Sequence, residues 1–170
     1  ADDVLPYKPI RQWVLSFPYP LRFLLAHNPQ VVTTVLGIIN RSISTHLIKK
    51  AGLDKTTAQT GAVTLIQRFG SALNLNVHFH MLFIDGVYQE KHNGKLRFHR
   101  VNAATNSELN TLVGTISQRV AGHLERQGLL VRDDESSYLT LDLQDDDSMQ
   151  QLQGHSITYR IAVGPQQGRK

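Results

Sequence analysis

The segment NLNVHFHMLF, residues 74 to 83, sets two histidines one residue apart inside an apolar run. Side chains alternate along a strand, so Val77, Phe79, Met81 and Phe83 are expected on one face and His78, His80, Leu82 and Ile84 on the other. Two imidazoles on one face stand about 7 Å apart along the backbone, close enough to converge on one ion. With a third oxygen or nitrogen donor and open water positions, such a pair makes a catalytic metal site rather than a structural one. Two sheet histidines, each satisfied by a neighbour, fit the same pattern. With eight histidines in 170 residues, the triplet alone does not choose between them.

Composition narrows the chemistry. The chain has no cysteine, which excludes disulfides, thiolate catalysis and cysteine-held zinc; a metal must be held by His, carboxylate or amide groups. Charge is uneven: residues 1–100 carry 12 Lys/Arg against 5 Asp/Glu, and residues 101–170 carry 6 against 9. The basic half holds the histidine pair, a distribution that suits a polyanion partner near it. The length fits one domain. No apolar stretch is read as long enough to span a bilayer, and the N-terminus ADDVLPYKPI is acidic where a secretion signal is basic. A soluble, cytoplasmic protein with no membrane partner is expected.

The elements that must position the histidines can be read along the chain. IRQWVLSF (10–17), bounded by prolines, is expected as the first strand. LRFLLAHN reads as a short helical turn, and Asn28-Pro29 as an N-cap and first helical residue. A helix over about 29–51 follows, with Val31, Val35, Leu36, Ile39, Ile43 and Leu47 on one stripe, Lys49 and Lys50 at its negative end, and Gly52 closing it. GAVTLIQRF (61–69) and NVHFHMLFI (76–84) are expected as antiparallel neighbours. Asp85-Gly86 and Asn93-Gly94 read as turns around short strands that extend the same sheet. A second helix opens with a Thr105–Glu108 capping box, lines up Leu109, Leu112, Val113, Ile116, Val120 and Leu124, and ends at Gly128. SYLTLDL and SITYRIAV read as later strands around a polar loop, QDDDSMQQLQG; Asp145, Asp146 and Asp147 there read as solvated charges. The fold class is α+β, an antiparallel sheet with helices on one face.

The stretch RQWVLSFPYPLRFLLAHNPQ, and above all TLIQRFGSALNLNVHFHMLFIDGVY, resembles the core of IS91- and ISCR-type transposases of the HUH endonuclease superfamily, across about residues 8–130. The resemblance implies a His-hydrophobic-His strand in the middle of an antiparallel sheet of HUH type, a ferredoxin- or RRM-like core, binding Mg²⁺ or Mn²⁺ through His78 and His80. It implies single-stranded DNA at transposon ends as substrate. It further implies the family's chemistry, in which a divalent ion would polarise the scissile phosphodiester while a tyrosine oxygen attacks phosphorus, to leave a 5′-phosphotyrosine and a free 3′-hydroxyl for rolling-circle transposition.

Gln67, on the strand expected beside the histidines, is the preferred third ligand, because an amide oxygen is a hard donor. Asp85 falls on the opposite face of a regular strand, and His99 is a further candidate. For DNA, Arg68, Arg97 and Arg100, with Lys91 and Lys95 at the hairpin turn, are candidates to neutralise phosphates, as is Arg119 in a stripe with His123 and Arg126; a solvated surface charge is the competing reading for each. Trp13 and Phe17 are expected in the core rather than stacked on bases.

The chain departs from the family in two respects. Family members carry tyrosines, commonly two, about one helical turn apart, on a helix after the histidine strand. Here Tyr7, Tyr19, Tyr88, Tyr138 and Tyr159 include no such pair, and Tyr159 lies in the alternating SITYRIAV, so no catalytic residue is assigned. The family's cysteine-rich zinc module has no counterpart either. Residues 1–170 are therefore expected to be a partial catalytic core that binds metal and does not cleave; the alternative is an inactive remnant acting at most as a DNA-binding domain.

Overall fold

A computed structural model of the protein describes residues 8–70, 75–132 and 137–140. Strand β1 (Ile10–Ser16) leads into helix α1 (Tyr19–His27), whose start is set by Pro18 and Pro20, and then into α2 (Pro29–Lys50). Asn28 caps α2 as expected, its side-chain oxygen accepting from the Val31 N–H. Gly52, at φ +69°, ends it: the Leu53 N–H reaches the Ile48 carbonyl and the Gly52 N–H the Lys49 carbonyl, satisfying groups a helix end leaves open. The strands β2 (Ala58–Gln59), β3 (Ala62–Phe69), β4 (Leu75–Ile84), β5 (Gly86–Glu90) and β6 (Leu96–Arg100) precede α3 (Asn106–Arg126), and β7 (Leu130–Arg132) and β8 (Ser137–Leu139) form a small final ribbon.

Among the described residues all strand pairs are antiparallel. The first sheet has the order β1-β4-β3, so the histidine strand is central; the second has the order β2-β5-β6. The architecture is α+β. Alternation on β4 sends Val77, Phe79, Met81 and Phe83 into the core, each at most 1 % exposed, as the sequence requires. Phe17 meets Phe79 edge to face, and Trp13 sits edge-on to both Phe83 and His46 of α2. Leu25 from α1, Val35, Ile39 and Ile43 from α2, and Leu124 from α3 complete this layer. Each such side chain contributes about 1.5–3 kcal/mol by leaving water. The capping box of α3 forms as expected, Thr105 and Glu108 each accepting from the other's backbone N–H.

Three expectations are corrected. Asp85-Gly86 is not a hairpin turn: Asp85 is a one-residue bend through which β4 passes directly into β5. The Asp85 N–H donates to the Pro9 carbonyl and its own carbonyl accepts from Val101, while Arg11 clasps its carboxylate at 2.8 and 2.7 Å. Gly86 is required there because a Cβ would lie under 3.0 Å from the His99 carbonyl oxygen and the Phe98 ring. Secondly, the β5–β6 hairpin, turning at Gly94 (φ +72°), does not extend the first sheet. It pairs with β2, a two-residue strand too short to leave a pattern in the sequence. Thirdly, α2 is by length and composition apolar enough to cross a bilayer, yet half of that stretch is buried inside the fold, as in a core helix. SITYRIAV and QDDDSMQQLQG lie outside the described residues.

Candidate metal centre

Helices cover one face of the β1-β4-β3 sheet, and the histidines occupy the other. Register sets their neighbours in rungs across three strands. Ser16, His78 and Gln67 form one rung; Val14, His80 and Leu65 the next; Gln12, Leu82 and Val63 the third. Side chains directly opposite in paired strands share a face, so all nine residues lie on the histidine side. Among the described residues this face is uncovered at its centre: Val14 is 54 % and Leu65 61 % exposed on either side of half-buried His80.

The two imidazoles converge. Their ring centroids are 4.8 Å apart, edge to face, well inside the backbone spacing. Each ring has a hydrogen-bond partner at Nδ1. His78 Nδ1–H donates to the main-chain oxygen of Asn76 at 2.6 Å. A carbonyl can only accept, so the proton is on Nδ1 and the Nε2 lone pair is free for a cation; metal-binding histidines are commonly held this way. His80 Nδ1 lies 2.7 Å from the side-chain amide of Gln12, whose NH₂ group donates to it. A half-turn of that amide presents its oxygen instead, takes the Nδ1 proton and frees Nε2 of His80.

Gln67 lies opposite His78, as the strand pairing predicted, and its amide N–H donates to the Phe69 carbonyl at 3.2 Å, leaving its oxygen available. Gln12 was not legible as a donor, because it is 68 positions from His80 and only the β1–β4 register makes it diagonal to that ring. The other metal candidates lie elsewhere. Asp85 is buried and engaged by Arg11, and His99, opposite Val87 in the second sheet, donates from Nε2 to Gln89 at 3.0 Å. Among the described residues no three His, Asp or Glu side chains gather at one point; the third donor beside the histidines there is the Gln67 amide oxygen.

The four arginines nominated for DNA do not form one patch. Arg68 turns to the helix side and donates to the Ala26 carbonyl at 3.4 Å, and Arg119 donates to the Ser42 hydroxyl of α2 at 3.1 Å. Arg97 and Arg100 are exposed on β6, opposite Gln89 and Gly86 and on different faces of that hairpin. Trp13 and Phe17 are on the core side, as expected. Of the tyrosines, Tyr19 starts α1 and Tyr88 lies in β5; Tyr7 and Tyr159 lie outside the described residues.

Residues 61–163, which include the histidine strand, its neighbour β3, the β5–β6 hairpin and α3, match the model of a family described as "Putative transposase". The chain belongs to this transposase family. No curated protein matches it. The match covers His78, His80 and Gln67, whereas β1, which supplies Gln12, precedes it.

Proposed function

We propose that this chain is the metal-binding, single-stranded-DNA-handling core of a rolling-circle transposase of the IS91 or HUH type, working in the cytoplasm on transposon ends. One observation carries this reading: two imidazoles drawn to 4.8 Å on an open sheet face, one with its proton fixed away from that face by the Asn76 carbonyl. The hard donors that Mg²⁺ or Mn²⁺ favours would come from the Gln67 amide oxygen, water and a phosphate oxygen, beside two neutral imidazoles. When bound, such an ion withdraws charge from a phosphodiester during strand cleavage and transfer by a tyrosine. The chain's own residues orient the two rings and keep one flank open, with Val14 and Leu65 offering apolar ground for unpaired bases. Phosphate neutralisation falls to Arg97 and Arg100, together with Lys91 and Lys95 at the hairpin turn, and to Arg68 and Arg119 only if they leave the contacts they make with Ala26 and Ser42.

Fluorescence anisotropy with a labelled single-stranded oligonucleotide and its duplex tests this. Mn²⁺ is expected to tighten binding of the single strand, and chelation to reverse the gain. Equal affinity for both forms, indifferent to Mn²⁺, would overturn the reading.

A further inference from the structure

Beyond His80 the same sheet face runs into a cavity of about 450 Å³. Its floor is the continuation of the histidine face, Ile10, Leu82 and Val63; its walls are Thr56, Thr57 and residues 59–61 on one side and Tyr88, Glu90 and Leu96 of the β5–β6 hairpin on the other. Leu82 is the next side chain after His80 on that face, about 7 Å along the strand. The volume lies within the range of small-molecule sites, which combine apolar walls with a few polar groups.

We propose that this cavity receives one unpaired nucleobase of the strand whose phosphate lies at His78 and His80, and that it favours a base carrying an exocyclic amino group. This rests on the reading of the histidine face as a single-stranded-DNA site. Apolar floor and aromatic wall suit a base, which buries its faces and is read along its edge. The polar lining is rich in acceptors. Thr56 and Thr60 spend their hydroxyl protons on Asp54 Oδ1 and the Gly86 carbonyl, leaving oxygen lone pairs. The Glu90 carboxylate and the Gln59 amide oxygen add further acceptors to the lining. Acceptors of this kind pair with the amino groups of cytosine, adenine or guanine; thymine has none. Charge for the flanking phosphates is available on the same hairpin face: Arg100 shares the face of Tyr88, and Lys8 Nζ sits 5.2 Å over the Phe98 ring that packs against Tyr88.

Val63 and Leu96 are both exposed and stand on two sides of the cavity, so Val63→Trp and Leu96→Trp fill it without touching the core. Three quantities are measured for the wild-type chain and each variant: Mn²⁺ affinity by calorimetry, and affinities for a mixed-sequence single strand and for oligo(dT) by anisotropy. The wild type is expected to bind the mixed strand at least tenfold more tightly than oligo(dT). Either tryptophan should erase that preference and leave Mn²⁺ affinity unchanged. If the wild type binds the mixed strand with Mn²⁺ but shows no preference, or the variants keep it, the cavity assignment fails and the histidine site stands. If the wild type binds no single strand at all, both fall.

Discussion

His78 Nδ1 donates to the backbone oxygen of Asn76, two residues earlier in the same strand, at 2.6 Å. The contact is local, so strand β4 sets the ring's tautomer with no partner from elsewhere. Nitrogen NMR at neutral pH is expected to show the His78 proton on Nδ1; a proton on Nε2 would contradict the proposed ligand geometry.

Gln12 holds His80 from the neighbouring strand: its amide N–H donates to Nδ1 at 2.7 Å, and a half-turn of that amide would make its oxygen accept the Nδ1 proton, as the Asn76 carbonyl does for His78. Partners behind a metal-binding histidine typically contribute about 10–100-fold in metal affinity. Gln12→Ala is expected to weaken Mn²⁺ binding by about that factor with little change in melting temperature, since Gln12 is exposed. Undiminished affinity would remove Gln12 from the site.

The bend at Asp85 depends on two features that can be tested separately. Arg11→Met leaves the buried Asp85 carboxylate without its charged partner, and Gly86→Ala drives a methyl group into the His99 carbonyl and Phe98 ring. Urea unfolding should show a loss of about 1–3 kcal/mol for the first and at least about 1–3 kcal/mol for the second. A loss below about 0.5 kcal/mol, the range of ordinary surface changes, would mean that the strand changes sheets for another reason.

Acid stability has a specific signature. Glu108 is pulled from its ordinary value near 4.5 down to about 2, first by the hydrogen bond from Lys50 and then by the Thr105 N–H. A carboxylate depressed in the folded state adds stability that is full above its unfolded value and drains as pH falls through the folded one. Thermal denaturation from pH 5 down to pH 2 should therefore fall more steeply for the wild type than for Glu108→Gln. Parallel curves would show that the Lys50–Glu108 pair makes no net contribution.

What the sequence disclosed and what it hid divide along one line. Features fixed by neighbours within a few residues were legible: the period-two alternation of β4, the Asn28 and Thr105 caps, and the glycines that end α2 and α3. Features fixed by distant partners were not. Asp85-Gly86 has the composition of a turn, and it took Arg11, 74 positions away, to make it a bend between sheets. Arg68 and Arg119 look like free surface charges until α1 and α2 are found beside them. Likewise, the histidine pair was visible as a spacing, while the Gln12 contact depended on the pairing of β1 with β4.

The central claim is that the Nε2 lone pairs of His78 and His80 meet at one cation. Calorimetric titration of Mn²⁺ into the wild-type chain and into the His78→Ala, His80→Ala double variant measures this with no DNA present. The expected result is one saturable site in the wild type and none in the variant, with both chains equally folded by circular dichroism. The same affinity in both would contradict the account.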